Sequence, residues 1–192
     1  DILFEKIKSL FAINIINILK FVQQTNYIIT KTDVKQLYTI FTPLIFNDQN
    51  EIKNKNQIVS KRNTLSYVKV KSLYYSAFTN ELYNGYSVTD KADGDRCYLL
   101  TSNNSIYILF SNMQIKKIGT CSFNDCIVLD GEYIYMKKYN KHVFLGFDLI
   151  HYNGVFYNNN NLLKEKYNKM CEIINKEFDF KYNNYEGKMV ID

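Results

Sequence analysis

Lys91, in the stretch TDKADGDRCYLL, stands two residues before Asp93-Gly94 and five before Arg96, with an apolar run following at once. A lysine is a nucleophile only when neutral, and its ordinary pKa of about 10.4 leaves it protonated near pH 7. A cation close by, such as Arg96, disfavours the ammonium and releases the amine lone pair. Gly94 permits a tight turn that a side chain would obstruct. The plain alternative is a solvated turn lysine, since Asp-Gly is a common turn dipeptide. Two further stretches carry chemistry. VLDGEYIY places Glu132 directly after Asp130-Gly131, and FLGFDLIHYNG places Phe147 beside Asp148. If Phe147 and Asp148 lie on a strand, they face opposite sides of it. Each has a plain reading: Asp130-Gly131 as a hairpin turn, Glu132 as a solvated strand end, Phe147 as a core residue.

The elements that must hold these residues change character near residue 60. Residues 2–22 and 33–46 carry apolar residues at helical spacing, and the polar NDQNEIKNKNQ after them reads as a loop. Beyond it come short runs rich in Val, Ile, Tyr and Phe: YSVTDK, RCYLLTS, SIYILFS, QIKKIG, CIVLDGEYIYM and HVFLGFDLIHY. Asn-Asn, Asp-Gly and Asn-Gly punctuate them, which predicts a mostly antiparallel sheet built from hairpins. NNLLKEKYNKMCEIINKEF returns to helical spacing through Leu163, Tyr167, Met170, Ile174 and Phe178. The organisation predicted is a helical N-terminal segment over residues 1–60, either the tail of an upstream domain or the opening of this one, and a strand-rich unit over 61–192.

Composition narrows the classes. The chain has 192 residues, 46% of them hydrophobic, enough for one domain with a sizeable core. A net charge of +5 is compatible with a phosphate-rich partner without requiring one. Cys97, Cys121, Cys126 and Cys171 form no C-x-x-C pair, and His142 and His151 stand at no useful spacing from them, so a zinc site is not expected. Reduced thiols and no signal peptide favour an intracellular setting. Lys8, Asn14, Asn17 and Lys20 interrupt the apolar N-terminal stretch, which favours a buried amphipathic helix over a membrane span and leaves no membrane partner expected. The chain begins at Asp1 and not at Met, as expected of a fragment or processed piece.

Together the three stretches resemble the motifs of the covalent nucleotidyltransferase superfamily, the mRNA-capping guanylyltransferases and polynucleotide ligases. KADGDR is similar to its K-x-D-G-x-R motif, LDGEYIY to its D-G-E motif and FLGFDLIHYNG to its F-D motif, in the family's order. The short interval from Glu132 to Phe147 is more like the capping enzymes, and the surrounding wording resembles those of large DNA viruses of poxvirus-like type. The resemblance covers residues 61 to 180 and implies that 61–192 is the N-terminal part of a nucleotidyltransferase domain. It implies an α+β fold, a nucleotidyltransferase core of the ligase and capping type (ATP-grasp-like), with mostly antiparallel sheets and flanking helices, truncated before the OB-fold. It implies Lys91 as the catalytic nucleophile toward GTP, forming lysyl-GMP that passes to the 5′-diphosphate end of RNA. Arg96 and Glu132 would hold the ribose hydroxyls, Phe147 would stack on guanine, and Mg²⁺ or Mn²⁺ would assist. Asp93 and Asp148 would be structural. Glu186, in YEGKMVID, resembles a later metal-binding carboxylate, although it lies nearer Phe147 than the family pattern and Lys188 follows where an apolar residue is usual. Further capping domains or a subunit are implied as partners, and, for a viral protein, the host cytoplasm or the virion as location. Two readings stay open beside this one: an ATP-dependent ligase using lysyl-AMP, and a catalytically silent module that binds RNA or a subunit.

Overall fold

A computed structural model describes residues 2–46, 93–122, 124–157, 163–177 and 189–190. Helix α1 spans Ile2–Gln23 and α2 spans Lys31–Phe46. Then come strands β1 (Asp95–Ser102), β2 (Ser105–Phe110), β3 (Ile115–Thr120) and β4 (Ile127–Met136). A single 3-10 turn, Lys137–Tyr139, leads into β5 (Lys141–Tyr152) and the short β6 (Val155–Phe156); α3 (Leu163–Glu177) and β7 (Met189–Val190) complete the described elements.

The strands form one sheet in the order β3-β2-β1-β4-β5-β6, with β7 also on β5. Every pairing is antiparallel. The described chain is therefore α+β, as expected. Tight turns set the registers. Ser102 pairs with Ser105 across Asn103 and Asn104, whose φ values of 50° and 56° suit the left-handed positions of a two-residue hairpin. Asn153 and Gly154, at 47° and 86°, do the same between β5 and β6. These are the Asn-Asn and Asn-Gly punctuations of the sequence.

Alternation along β1 splits the core in two. Cys97 and Leu99 face one side with Ile108, Ile127, Leu129 and Phe144, and α3 covers them with Met170, Ile173 and Ile174. Tyr98 and Leu100 face the other side with Leu109 and Val128, covered by Leu37 and Phe41 of α2. A reciprocal cap starts α2: Thr30 Oγ1 accepts from the Asp33 amide at 3.2 Å, and Asp33 Oδ2 accepts from the Thr30 amide at 2.8 Å.

Two expectations change. Of the stripe expected on α3, Met170 and Ile174 are buried, but Leu163 is 54% and Tyr167 45% exposed, Ile173 and Lys166 turn inward instead, and Phe178 lies outside the described residues. Lys166 draws the helix round because its ammonium meets a carboxylate of β5, as described below. Nor is α1 buried. It is a helix, yet none of its residues is buried among the described ones. Its apolar side chains occupy the whole circumference, and hydrogen bonds tie its C-terminal end to the chain that follows. There Gln23 exchanges two hydrogen bonds with Ile29, and Thr25 donates to the Lys117 carbonyl of β3 at 2.7 Å.

Candidate functional site

β1, β4 and β5 lie side by side and bring three of the four sequence-nominated residues to one end of the sheet. Arg96 of β1 pairs directly with Glu132 of β4. Asp130, two residues earlier on β4, lies on the same face and holds the guanidinium with both oxygens: Nε to Oδ1 at 3.2 Å, Nη2 to Oδ2 at 2.8 Å. This paired, two-point geometry fixes the plane of the guanidinium as well as its position. Phe147 of β5 completes the group, with its ring centroid 5.3 Å from Arg96 Cζ. The ring is 40% exposed and belongs to neither core. Glu132 Oε2 accepts a hydrogen bond from the Gly94 amide at 3.1 Å, tying β4 to the turn that follows Lys91 in sequence. Lys91 itself lies outside the described residues, as does Glu186.

Asp130 was legible in the sequence only as half of a turn dipeptide. In the structure Asp130-Gly131 lies inside β4, not at a hairpin. Asp-Gly reads as a turn because glycine tolerates unusual backbone angles, but Gly131 is there for space. A Cβ on it would stand 2.4 Å from the Leu145 carbonyl and 2.4 Å from the Phe144 ring. Nor is Glu132 a solvated strand end, for it sits within β4. Asp130 is 5% exposed; burial raises its pKa more than the Arg96 hydrogen bonds and charge lower it.

A bulge in β5 shapes the Phe147 position. Asp130 pairs with Asp148 and Gly131 with Gly146, leaving Phe147 as the extra residue. Phe147 leans toward Arg96. Asp148 is instead taken by Lys166, from the helix covering the opposite face, whose Nζ donates to Oδ2 at 2.9 Å and stands 2.6 Å from Oδ1. The bulge breaks the alternation expected of these two neighbours: the register sets Asp148 opposite Asp130, and Leu149 after it opposite Leu129 in the α3-side core. The Lys166 side chain is only 7% exposed, so this pair is a buried positional constraint on β5.

A cleft of about 280 Å³ opens beside Arg96, with Asp95, Phe110, Gln114 and Lys116 on its walls. Among the described residues no group of three histidine, cysteine or carboxylate side chains is placed to hold a metal. The carboxylates near Arg96 are already engaged: Asp130 by the guanidinium, Glu132 by an amide, Asp148 by an ammonium. As placed, these three form no cation site among the described residues. All four cysteines are free thiols. No described helix is long and apolar enough to cross a membrane.

No protein-family model matches the chain. Over 137 residues, 68% of its length, the chain is 33% identical to a probable mRNA-capping enzyme of Acanthamoeba polyphaga mimivirus. It spans 12% of that relative's length. The chain is thus related to a viral capping enzyme, at a distance that leaves the particular reaction to chemistry.

Proposed function

We propose that this chain carries out the guanylyl-transfer step of mRNA capping, with Lys91 as nucleophile and Arg96, Glu132 and Phe147 receiving the nucleotide. One observation carries the reading: a fixed guanidinium, a carboxylate and a half-exposed aromatic ring converge at the strand that begins four residues after Lys91. The likeness to a protein named for capping supports the substrate class.

Neutral Lys91 Nζ attacks the α-phosphorus of GTP. The bond to pyrophosphate breaks, the amine proton is lost, and lysyl-GMP forms. A β-phosphate oxygen at the 5′-diphosphate end of RNA then attacks the same phosphorus and frees the lysine. Asp130 keeps Arg96 oriented without moving at the moment of reaction. Phe147 offers a π-face to the base, and the Glu132 bond to Gly94 fixes the spacing between the strand and the turn after Lys91. The divalent ion, Mg²⁺ or Mn²⁺, enters as part of the metal–nucleotide substrate and neutralises phosphate charge.

Incubation with α-labelled GTP or ATP and either ion, followed by a denaturing gel, tests the proposal. Label from GTP that survives denaturation is the expected result. Lys91→Arg is expected to take up none, because a guanidinium stays protonated. Label from ATP alone would make the chain a ligase-type adenylyltransferase. No label from either would leave a nucleotidyltransferase-like binding module.

A further inference from the structure

On the opposite face from Arg96 and Glu132, the same strands carry a continuous row of aromatic rings. Phe110 of β2 meets Tyr133 of β4 edge-on, centroids 5.9 Å apart at 78°. Tyr133 stacks flat on His142 of β5 at 4.8 Å and 6°. His142 in turn lies 5.1 Å from Tyr135, tilted by 55°. Cations flank both ends. Lys116 Nζ stands 5.7 Å over the Phe110 ring, and beyond Tyr135 the β4–β5 connection MKKYNKH places Lys137 and Lys138 in solvent and Lys141 half-buried. No acidic residue occurs between Glu132 and Asp148 in sequence, whereas three lysines do.

Cross-strand aromatic pairing alone would account for Tyr133 and Phe110, which pack against the α3-side core. It does not account for the exposed end. His142 is exposed and Tyr135 is 48% exposed, its hydroxyl bound to Asn140 at the hairpin. A row of rings ending in an exposed tyrosine, among lysines, is the chemistry that takes single-stranded nucleic acid: π-faces for unpaired bases, ammonium groups for the phosphates between them. The row also leads somewhere. Phe110 and Lys116, at that end of the row, line the same cleft as Arg96 at the end of the sheet.

We infer that this aromatic row and the β4–β5 hairpin form the docking track for the body of a single-stranded RNA, whose 5′ end enters the Arg96 cleft. The inference rests on the proposed function for the identity of the strand, and adds where that strand lies. A duplex fits poorly, since its bases are already stacked and turned inward.

Fluorescence anisotropy with a labelled, unstructured RNA oligonucleotide bearing a 5′ diphosphate tests the track on the full chain. Lys137→Ala/Lys138→Ala, two exposed positions whose replacement leaves the cores untouched, is expected to lower the slope of log affinity against log salt by about 1 to 1.5. Tyr135→Ala is expected to weaken binding about tenfold, and Tyr135→Phe to retain wild-type affinity because the ring is kept. GMP transfer to RNA, counted per labelled enzyme, should fall in parallel. Unchanged affinity and salt slope in both alanine variants would overturn the inference, and so would an equal loss for double-stranded RNA, which has no free base faces. Because anisotropy requires no label on Lys91, failure of the guanylyl-transfer proposal would appear separately, as unlabelled wild-type protein.

Discussion

Phe147 shows how exposure separates two uses of the same residue. A phenylalanine in either core, replaced by alanine, costs about 3–5 kcal/mol of stability. Phe147 is 40% exposed and rests on Arg96, so Phe147→Ala should leave the melting temperature within a few degrees of wild type. Its loss should appear in GTP affinity, by about 1–3 kcal/mol if base–aromatic stacking sets the scale, with Phe147→Trp restoring most of it. A steep drop in melting temperature with normal affinity of the folded protein would return the ring to the core. At this scale motifs nominate residue types but do not reveal partners. Arg96, Glu132 and Phe147 could be nominated from their motifs. Asp130 as the anchor of Arg96 could not, since its position beside the guanidinium depends on the cross-strand register, in which Asp130 faces Tyr98 and Arg96 faces Glu132.

At the scale of elements, the strands were legible because alternation and Asn-rich turns are local signals, and β1 to β5 fall on the runs that carry them. The strand runs before residue 93 lie outside the described residues. What local signals misplace is residues whose reason is a neighbour. Gly131 looks like punctuation and is in fact a gap filled by Phe144; Lys166 looks like a surface lysine and is a buried partner of Asp148. Gly131→Ala should therefore destabilise by about 1–3 kcal/mol or more, measured by denaturant unfolding, because the atoms it meets are backbone and a fully buried ring. A cost below a few tenths would show that β4 and β5 can separate at no penalty. The β5–β6 hairpin supplies a pH test. His151 is buried, its Nδ1 lies 3.2 Å from the Cys126 carbonyl, and its Nε2 accepts from the Gly154 amide at 3.1 Å. That arrangement needs a neutral ring. Burial lowers the His151 pKa below its ordinary 6.5, outweighing the Cys126 hydrogen bond that raises it. The folded state then binds fewer protons than the unfolded one just below pH 6.5. Its stabilising contribution is complete above that pH and is lost as the pH falls toward the depressed folded value. Chemical denaturation across this range should show a decline that His151→Gln flattens; identical pH profiles would remove His151 as the cause.

For the whole molecule, the sheet is covered on both faces by helices distant in sequence, α2 on one and α3 on the other. We propose that α2 is part of the same cooperative unit as the strands. Phe41, 1% exposed, packs with Tyr98 and Leu100. Phe41→Ala should cost about 3–5 kcal/mol, and sheet and helix signals should still melt together. A helix signal lost at lower temperature, with the sheet unaffected, would assign α2 to a separate body. Here sequence reading reached its limit with α1. Helical spacing identified the helix, but an apolar surface on every side gives no direction, and no pattern within it says which face should be covered.

The extra residue in β5 has a consequence for how this chain tolerates insertions and deletions. Removing one residue from an ordinary strand exchanges inside for outside along the rest of its length. At a bulge the opposite holds, because loss of the supernumerary residue restores an unbroken ladder. A lineage could therefore delete Phe147 and keep both cores in register, retaining Asp130 opposite Asp148 and Gly131 opposite Gly146. Such a descendant would keep the sheet and lose the ring over Arg96, so a one-residue gap in an aligned relative would mark the loss of that ring within a preserved fold.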